Sequence, residues 1–157
     1  AILIGLALYV TFQCVMPLRH YLYPGNANWT EEGHRFAWHM KLRDKEGTAK
    51  FFVRNPTSGE VQQVWPEDYL TARQARKMVT RPDMVIQFSH FLAAELTPPG
   101  EPSVEVRAWV MASLNGRPPQ MLIDPNQNLA QVSLSFQPAD WILPLRKDKA
   151  IAETLEK

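Results

Sequence analysis

The first 18 residues constrain this chain more than any other stretch, because they carry no charged side chain. The segment reads AILIGLALYVTFQCVMPL, and Gln13 is its only strongly polar residue. A helix needs about 20 apolar residues to cross the hydrocarbon core of a bilayer, so this run lies at the lower limit for a membrane span. No polar face interrupts it, as one would in a surface helix of a soluble domain. We therefore predict a transmembrane helix over residues 1–20; the alternative is a buried helix of a soluble domain.

The chain begins inside this apolar run, without an initiator methionine and without the basic region or small-residue cleavage site of a signal peptide. We expect it to be the C-terminal part of a longer membrane protein. Pro17 and the cluster of residues 19–21 mark the point where the helix reaches water. Tyr21, Tyr23 and Trp29 are suited to the membrane interface, where an amphipathic ring can lie among the headgroups.

Composition narrows the class of protein further. A length of 157 residues corresponds to about one domain, and the 21% of charged residues excludes a fully disordered chain or a multi-span membrane protein over this stretch. The net charge of +1 gives no electrostatic reason to expect a nucleic-acid partner. Cys14 is the only cysteine, which excludes an internal disulfide and a cysteine-based zinc cluster.

Two antiparallel hairpins are predicted after the apolar run. In the first, Thr48–Arg54 is a β-rich run, residues 55–59 form a turn signal, and Val61–Trp65 is the returning strand. Pro56 and Gly59 within the connecting residues favour a reversal of the chain there. This hairpin supplies one half of a predicted antiparallel sheet.

The second hairpin follows from a strict alternation of side chains. Side chains alternate between two faces over Ser103–Ala112, one of which is apolar throughout, and Asn115–Gly116 is the strongest short turn signal in the chain. Gln120–Ile123 is the expected partner strand, and Leu129–Phe136 is a further candidate strand. An antiparallel sheet of this kind has one apolar face to cover.

Two helices are predicted between the hairpins. Thr71 and Gln74 have the spacing of a capping box, and Pro82 is suited to the first turn of the next helix. The apolar face of that second helix has helical spacing and consists of Val85, Phe88, Leu92 and Leu96. Two helices that cover one face of an antiparallel sheet make an α+β domain, with an N-terminal membrane helix in front of it.

Spacing alone assigns no reaction. His34 and His39 are five residues apart, which is not the spacing of a metal site on a helix or a strand, so no metal is expected. Glu31 and Glu32 beside His34 could form an acid/base group, but a solvated loop is the favoured interpretation. Residues 28–30 fit a glycosylation sequon, which has meaning only in a eukaryotic secretory context.

A family resemblance adds what spacing cannot. Residues 20–30 (HYLYPGNANWT) and 36–40 (FAWHM) resemble the vitamin K-dependent γ-glutamyl carboxylase family, and more broadly the bacterial proteins with a horizontally transferred transmembrane domain. The resemblance covers nearly the whole chain in the same order. Its further matches are Thr71–Leu92, Trp109, Asn115–Gly116–Arg117, Ile123–Asp124–Pro125, Trp141 and Pro144–Leu145.

The resemblance implies an integral membrane enzyme that converts glutamate to γ-carboxyglutamate with reduced vitamin K, O₂ and CO₂. In the family, oxygenation of the quinol generates a strong base that removes a proton from the glutamate γ-carbon, and the carbanion takes up CO₂. The lysine assigned as the family's base has no counterpart here and is expected upstream. The implied partners are membrane lipid and a glutamate-containing protein or peptide, and the implied location of the domain is lumenal or periplasmic.

The resemblance also divides the chain and suggests its substrate-binding residues. The expected divisions are a membrane helix (1–20), an interfacial substrate-recognition segment (21–47), an extramembrane α+β domain (48–145) and a charged tail (146–157). His20 and Asn28 are candidates to bind the substrate carboxylate or backbone. Trp29 and Trp38 are candidates for the walls of an apolar slot, although packing in the core or at the membrane would also explain them. Arg35 is a candidate carboxylate partner by its chemistry alone.

Two other functions remain open at this stage. One is a membrane-anchored α+β binding module that performs no chemistry. The other is a different quinone-linked reaction on the same scaffold. Several further apolar spans and an intramembrane lysine or histidine in the intact protein would favour an enzyme over a binding module.

Overall fold

The apolar N-terminal run forms helix α1 (Ile2–Val15), which continues as a 3₁₀ helix over Met16–Leu22. The structure is a computed structural model, which describes residues 2–34, 37, 43–135 and 137–146. No residue of α1 is buried, and the side chain of Ile2 is 88% exposed. Within the described ranges, the 21-residue stretch Ile2–Leu22 is the one helix long and apolar enough to cross a membrane. A core helix of a soluble domain would bury its apolar side chains, so this exposure favours the membrane span.

The extramembrane part is built on a four-stranded antiparallel sheet with the strand order β2-β1-β3-β4. The strands are β1 (Lys45–Arg54), β2 (Val61–Val64), β3 (Glu105–Leu114) and β4 (Gln120–Met121). β1 and β3 pair along their full length, from Lys45 opposite Leu114 to Arg54 opposite Glu105. This long central pair brings the start of β1 next to the turn that follows β3.

In the part of the chain that the structure describes, three α-helices follow α1, namely α2 (Ala27–Thr30), α3 (Ala72–Met78) and α4 (Pro82–Leu96). The predicted capping box is present at α3, where Thr71 Oγ1 accepts a hydrogen bond from the Gln74 N–H and Gln74 reaches back to the Thr71 N–H. Pro82 begins α4, where its missing N–H leaves no hydrogen bond unmade. Local sequence chemistry therefore sets where these helices begin.

The core lies between α4 and the inner face of the sheet. The alternating residues of β3 on that face are buried, and so are Phe51 and Val53 of β1. The rings of Phe51 and Phe88 meet edge to face with their centroids 4.9 Å apart, which joins the centre of β1 to α4. This is the α+β arrangement that the sequence predicts.

The two predicted hairpins and the two predicted helices are confirmed, with differences at their ends. β1 begins at Lys45 rather than Thr48, and regular pairing of β4 stops at Met121, although Ile123 forms an isolated bridge with Ile142. The prediction of a strand over 129–136 is wrong, because a 3₁₀ turn (Leu129–Gln131) begins there instead.

The physical reason for that error is a side chain just upstream. Asn128 Oδ1 accepts hydrogen bonds from the N–H groups of Ala130 and Val106, which starts the turn and ties it to β3. Phe136 lies outside the described residues. Of the predicted charged tail, only Arg146 lies within them.

Candidate functional site

A single helical turn, α2, connects the membrane helix to the domain. Asn26 caps its start, because its Oδ1 accepts a hydrogen bond from the Asn28 N–H at 2.9 Å. Glu31 ends it in the left-handed conformation, with φ of 65°. Within the turn, Trp29 and Thr30 point into the protein and are buried. The turn is thus short but firmly bounded.

Trp29 fastens this turn to the domain. Its side chain is completely buried, and its indole N–H donates a hydrogen bond to the Leu143 carbonyl at 2.7 Å. Lys45 Nζ donates to the Trp29 carbonyl at 2.6 Å and lies 5.1 Å from the centroid of the indole ring. These contacts hold α2 against β1 and the C-terminal segment at once.

A buried ionic cluster surrounds the end of the turn. The carboxylate of Glu31 pairs with the guanidinium of Arg43, and its Oε1 lies 3.9 Å from Lys45 Nζ. The side chain of Lys45 is only 2% exposed. Burial lowers the pKa of Lys45 to about 8 and raises the pKa of Glu31, in each case against the attraction of the opposite charge. Both pKa shifts favour the neutral form of the side chain, so the cost of desolvation outweighs the attraction of the ion pair here.

A cavity of about 620 Å³ lies beside α2. Its walls come from the end of the membrane helix, the residues after α2, the start of α4 and the segment 132–142. Glu32 lines this cavity, and its Oε1 accepts a hydrogen bond from the Ala139 N–H at 2.7 Å. Burial raises the pKa of Glu32, and the hydrogen bonds from Ala139 and Thr30 oppose that rise. We name this space the acidic cavity.

A close backbone contact places the membrane helix against this cavity. Gly33 has φ of 64°, and a Cβ atom added to it would lie 2.7 Å from the His20 Cα. The side chain of Arg19 also donates from its Nε to the Gly33 carbonyl at 3.4 Å. Only glycine fits this approach without a shift of backbone, so Gly33 sets how closely the end of the helix packs on the domain.

The charges of the acidic cavity limit what it can bind. Its lining carries one described cation, Arg19, against four carboxyl groups, those of Glu31, Glu32, Asp83 and Asp140. A carboxylate ligand would meet mostly like charge there.

A smaller cleft of about 430 Å³ also lies beside α2. Asn26 and Asn28 line it from the turn, and residues 114–118 line it from the loop after β3. Arg117 is the one charged residue of its described lining. Asn28 Oδ1 is buried and has no hydrogen-bond partner among the residues that the structure describes. We name this space the Arg117 cleft.

The two cavities do not bring together the three predicted site residues that the structure describes, His20, Asn28 and Trp29. Asn28 lines the Arg117 cleft, whereas Trp29 is a core residue, as the packing interpretation has it. His20 is half-buried at the helix end, where its Nδ1 lies 2.8 Å from the Pro17 carbonyl oxygen and its ring lies 4.1 Å from that of Tyr21. Arg35 and Trp38 lie outside the described residues. Substrate contact by these five residues stays a prediction.

Sequence reasoning missed the other charged residues of this region. The expectation of a solvated loop at Glu31 and Glu32 is wrong, because the chain folds back so that Arg43 and Ala139 cover these carboxylates. Arg117 was visible only as part of the family resemblance, next to the turn signal at Asn115–Gly116. In the ranges that the structure covers, no group of three or more His, Cys, Asp or Glu residues could hold a metal ion.

An exposed apolar helix, followed by an α+β domain with polar cavities at the junction, is the architecture of a membrane-anchored protein. Residues 1–148 match the family described as Vitamin K-dependent gamma-carboxylase, lumenal domain. The chain belongs to this family, which confirms the resemblance stated above. No solved structure matches it.

Proposed function

We propose that this chain is part of a membrane-bound γ-glutamyl carboxylase-like enzyme and that it binds the glutamyl substrate. The observation that carries the proposal is the match of residues 1–148 to the lumenal domain of the carboxylase family. Support from the fold comes from α2, which is flanked by two cavities directly after the membrane helix. A substrate bound there lies where a membrane-embedded reaction centre could reach it.

The proposed reaction converts glutamate to γ-carboxyglutamate with reduced vitamin K, O₂ and CO₂ as co-substrates. At the glutamate, the γ-carbon loses a proton and the resulting carbanion adds to CO₂ to form a second carboxylate. Water would quench that carbanion, so the reacting carbon must be shielded from it. The part of this chain is to hold the peptide and leave its glutamyl side chain directed towards such a shielded centre.

Among the described residues, Lys45 is the buried lysine whose lowered pKa could suggest a catalytic base. Its Nζ is instead held by the Trp29 carbonyl and by Glu31, and Lys45 is not among the described residues that line either cavity. We assign it a structural role in fixing α2. The lysine assigned as the family's base is expected in another part of the whole protein.

Carbon dioxide incorporation by the full-length protein tests this proposal. Purified protein in nanodiscs is given a glutamyl peptide, labelled CO₂, O₂ and either the reduced or the oxidised quinone, and a glutaminyl peptide is the matched control. We expect label in the glutamyl peptide only, and only with the reduced quinone. Binding of the peptide without incorporation would leave a membrane-anchored binding module, and oxidation of the quinol without incorporation would indicate another quinone-linked reaction.

We further propose that the α+β domain faces the lumen or periplasm, in line with the description of its family as a lumenal domain. Thr57 is an exposed residue of the turn between β1 and β2, so a thiol placed there would be open to solvent. Thr57→Cys, in a full-length protein whose other cysteines, Cys14 included, are replaced by serine, should react with a membrane-impermeant maleimide. The reagent is added outside intact cells that carry the protein in their inner membrane, once the outer membrane is made permeable. Labelling only after lysis would place the domain in the cytoplasm.

A further inference from the structure

Two polar side chains of the membrane helix α1 bond to each other on its surface. Gln13 Nε2 donates a hydrogen bond to the Tyr9 hydroxyl at 3.0 Å, one helical turn away. Gly5 lies four positions before Tyr9, so the three residues follow one another along the same side of the helix. We name this side the Tyr9–Gln13 face.

The bonded pair lies deep in the membrane span. Arg19, the first charged residue of the chain, is six positions beyond Gln13 and ten beyond Tyr9. At 1.5 Å per residue these separations correspond to about 9 Å and about 15 Å along the helix axis. Because the hydrocarbon core of a bilayer is about 30 Å thick, Tyr9 lies near its middle, far from the headgroups where interfacial tyrosines are found.

The bond between Tyr9 and Gln13 uses only part of their hydrogen-bonding capacity. The Tyr9 O–H can still donate and the Gln13 Oε1 can still accept, and within the described part of the chain the hydrogen bond of each side chain is to the other. Lipid tails offer neither donors nor acceptors, so an unpaired hydroxyl or amide at this depth is costly. The Tyr9–Gln13 face therefore requires a polar partner rather than lipid.

Another side of α1 has no such requirement. Ile4, Leu8, Thr11 and Val15 have the spacing of one helical side, and three of them are aliphatic. The hydroxyl of Thr11 can bond to a carbonyl of its own helix one turn back, so it needs no outside partner. α1 is thus divided into a side that suits lipid and a side that does not.

The α+β domain is not the partner of this face in the described residues, because none of the residues of α1 is buried against it. Gly5 instead favours another helix. A Cβ atom added to Gly5 would have nothing within 4 Å, so the backbone of α1 is open to a close approach there. A small residue beside hydrogen-bonding side chains is the composition by which membrane helices associate, since lipid gives them no hydrophobic driving force.

We propose that the Tyr9–Gln13 face packs against a neighbouring transmembrane helix of the same protein molecule. Polar side chains of that helix pair with the Tyr9 O–H and the Gln13 Oε1. The inference rests on the proposed function in one respect, that the whole protein has further membrane helices; it does not depend on the reaction. Since Gly33 packs the domain closely against the end of the same helix, this contact also fixes the direction in which the domain lies over the other helices.

Spin labels on the two sides of α1 test which side meets lipid. The full-length protein, with its native cysteines replaced by serine, carries one labelled cysteine at Leu6 or at Leu8 and is placed in nanodiscs. Leu6 lies three positions before Tyr9 on the Tyr9–Gln13 face, whereas Leu8 is about 160° away around the helix at nearly the same depth. Collisions with O₂, which dissolves in lipid, should be less frequent at Leu6 than at Leu8, and the matched pair Ile2 and Ile4 should differ in the same sense.

Thermal unfolding tests the hydrogen bond itself. Gln13→Leu should lower the melting temperature of the full-length protein by about 2–5 °C, because it removes a bond between helices. Thr11→Val, at nearly the same depth on the other side, is the matched control and should melt like wild type. A wild-type melting temperature for Gln13→Leu would overturn the proposal. If Gln13→Leu does not fold, the spin labels decide, since they leave Tyr9 and Gln13 in place.

Other occupants of the Tyr9–Gln13 face give different results with the same labels. Equal O₂ collision frequencies at Leu6 and Leu8 would assign the face to lipid, and frequent collisions at Leu6 with a water-soluble nickel chelate would assign it to a water-filled cavity. Dipolar coupling between Leu6 labels that disappears on mixing with unlabelled protein would assign it to a second copy. Each of these results overturns the proposal.

The carboxylase function fails or stands separately. A protein with the expected label pattern that incorporates no CO₂ would refute the carboxylase function and leave the helix contact standing. Normal incorporation by a protein whose Leu6 label meets lipid as freely as its Leu8 label would refute the contact alone.

Discussion

Replacing Trp29 should weaken the attachment of α2 to the domain more than any other single change in the connecting segment. The side chain is fully buried, and its indole N–H is bonded to the Leu143 carbonyl. Trp29→Phe keeps most of the apolar contact but leaves that carbonyl without its donor, which costs about 1–3 kcal/mol. The smaller ring also leaves unfilled space, which adds about 1 kcal/mol. Trp29→Ala removes the whole side chain and should cost about 3–5 kcal/mol.

Thermal unfolding of the full-length protein in detergent measures these changes. At about 4 °C per kcal/mol, Trp29→Phe should lower the melting temperature by roughly 10 °C, and Trp29→Ala should lower it further. Trp109→Phe is the matched control, because Trp109 lies on the outer face of the sheet and is 53% exposed. Its replacement should shift the melting temperature by no more than about 2–4 °C.

The comparison between Trp29 and Trp109 tests whether Trp29 anchors α2 to the domain. If both Phe variants melt at the same temperature, Trp29 is not the anchor that its contacts indicate. If Trp29→Phe melts like wild type while Trp29→Ala is strongly destabilised, the apolar contact matters and the bond to Leu143 does not. The first result would count against Trp29 as the residue that fastens α2 to the domain, whereas the second would leave its apolar contact to do so.

Three further changes test other parts of the structure, each by thermal unfolding. Gly33→Ala should cost about 2–4 kcal/mol, because it adds a backbone clash to a left-handed conformation. Gly59 has the same positive φ but open space around it, so Gly59→Ala should cost only about 1–2 kcal/mol. Equal losses of stability would contradict the close approach of Gly33 to His20. Val110→Asp should prevent folding, since the side chain is fully buried in β3, while Met111→Asp on the opposite face should be tolerated; a normal melt of the first would refute the strand assignment. Burial lowers the pKa of Lys45 from 10.5 to about 8, so its charge destabilises the folded state below pH 8, and this cost disappears as the pH rises to 10.5. The stability of wild type relative to Lys45→Met should therefore increase between pH 8 and pH 10.5. A constant difference in stability would count against a buried charge at Lys45.

Most of the fold could be predicted from local patterns, because most of its elements have a sequence signal within a few residues. The alternation over Ser103–Ala112 becomes β3, the capping box at Thr71 begins α3, and Pro82 begins α4. The failures lie where a distant group competes with local preference. Leu129 lies in a 3₁₀ turn because the Asn128 side chain bonds to β3, 22 residues away along the chain, and no pattern in the 129–136 segment encodes that contact.

Much less of the candidate site could be predicted from the sequence. Asn28 was found through the family resemblance and does line a cleft, but Arg117, which shares the cleft, is 89 positions further along the chain. Glu31 and Lys45 look like ordinary surface charges in the sequence. Their perturbed pKa values arise from the way the chain packs around them, and burial is a property of the assembled fold.

The sequence by itself determined the uncharged membrane helix, the α+β class and the family, since these depend on composition, periodicity and motifs that are written along the chain. Only the tertiary structure showed that Trp29 is buried in the core, and that two cavities with different charges lie beside α2. The physical reason is that charge–charge interactions, desolvation and cavity shape depend on distances through space. The full-length pairing of β1 with β3 sets those distances here, because it brings Asn115 to Asp44 and thereby Arg117 to Asn28.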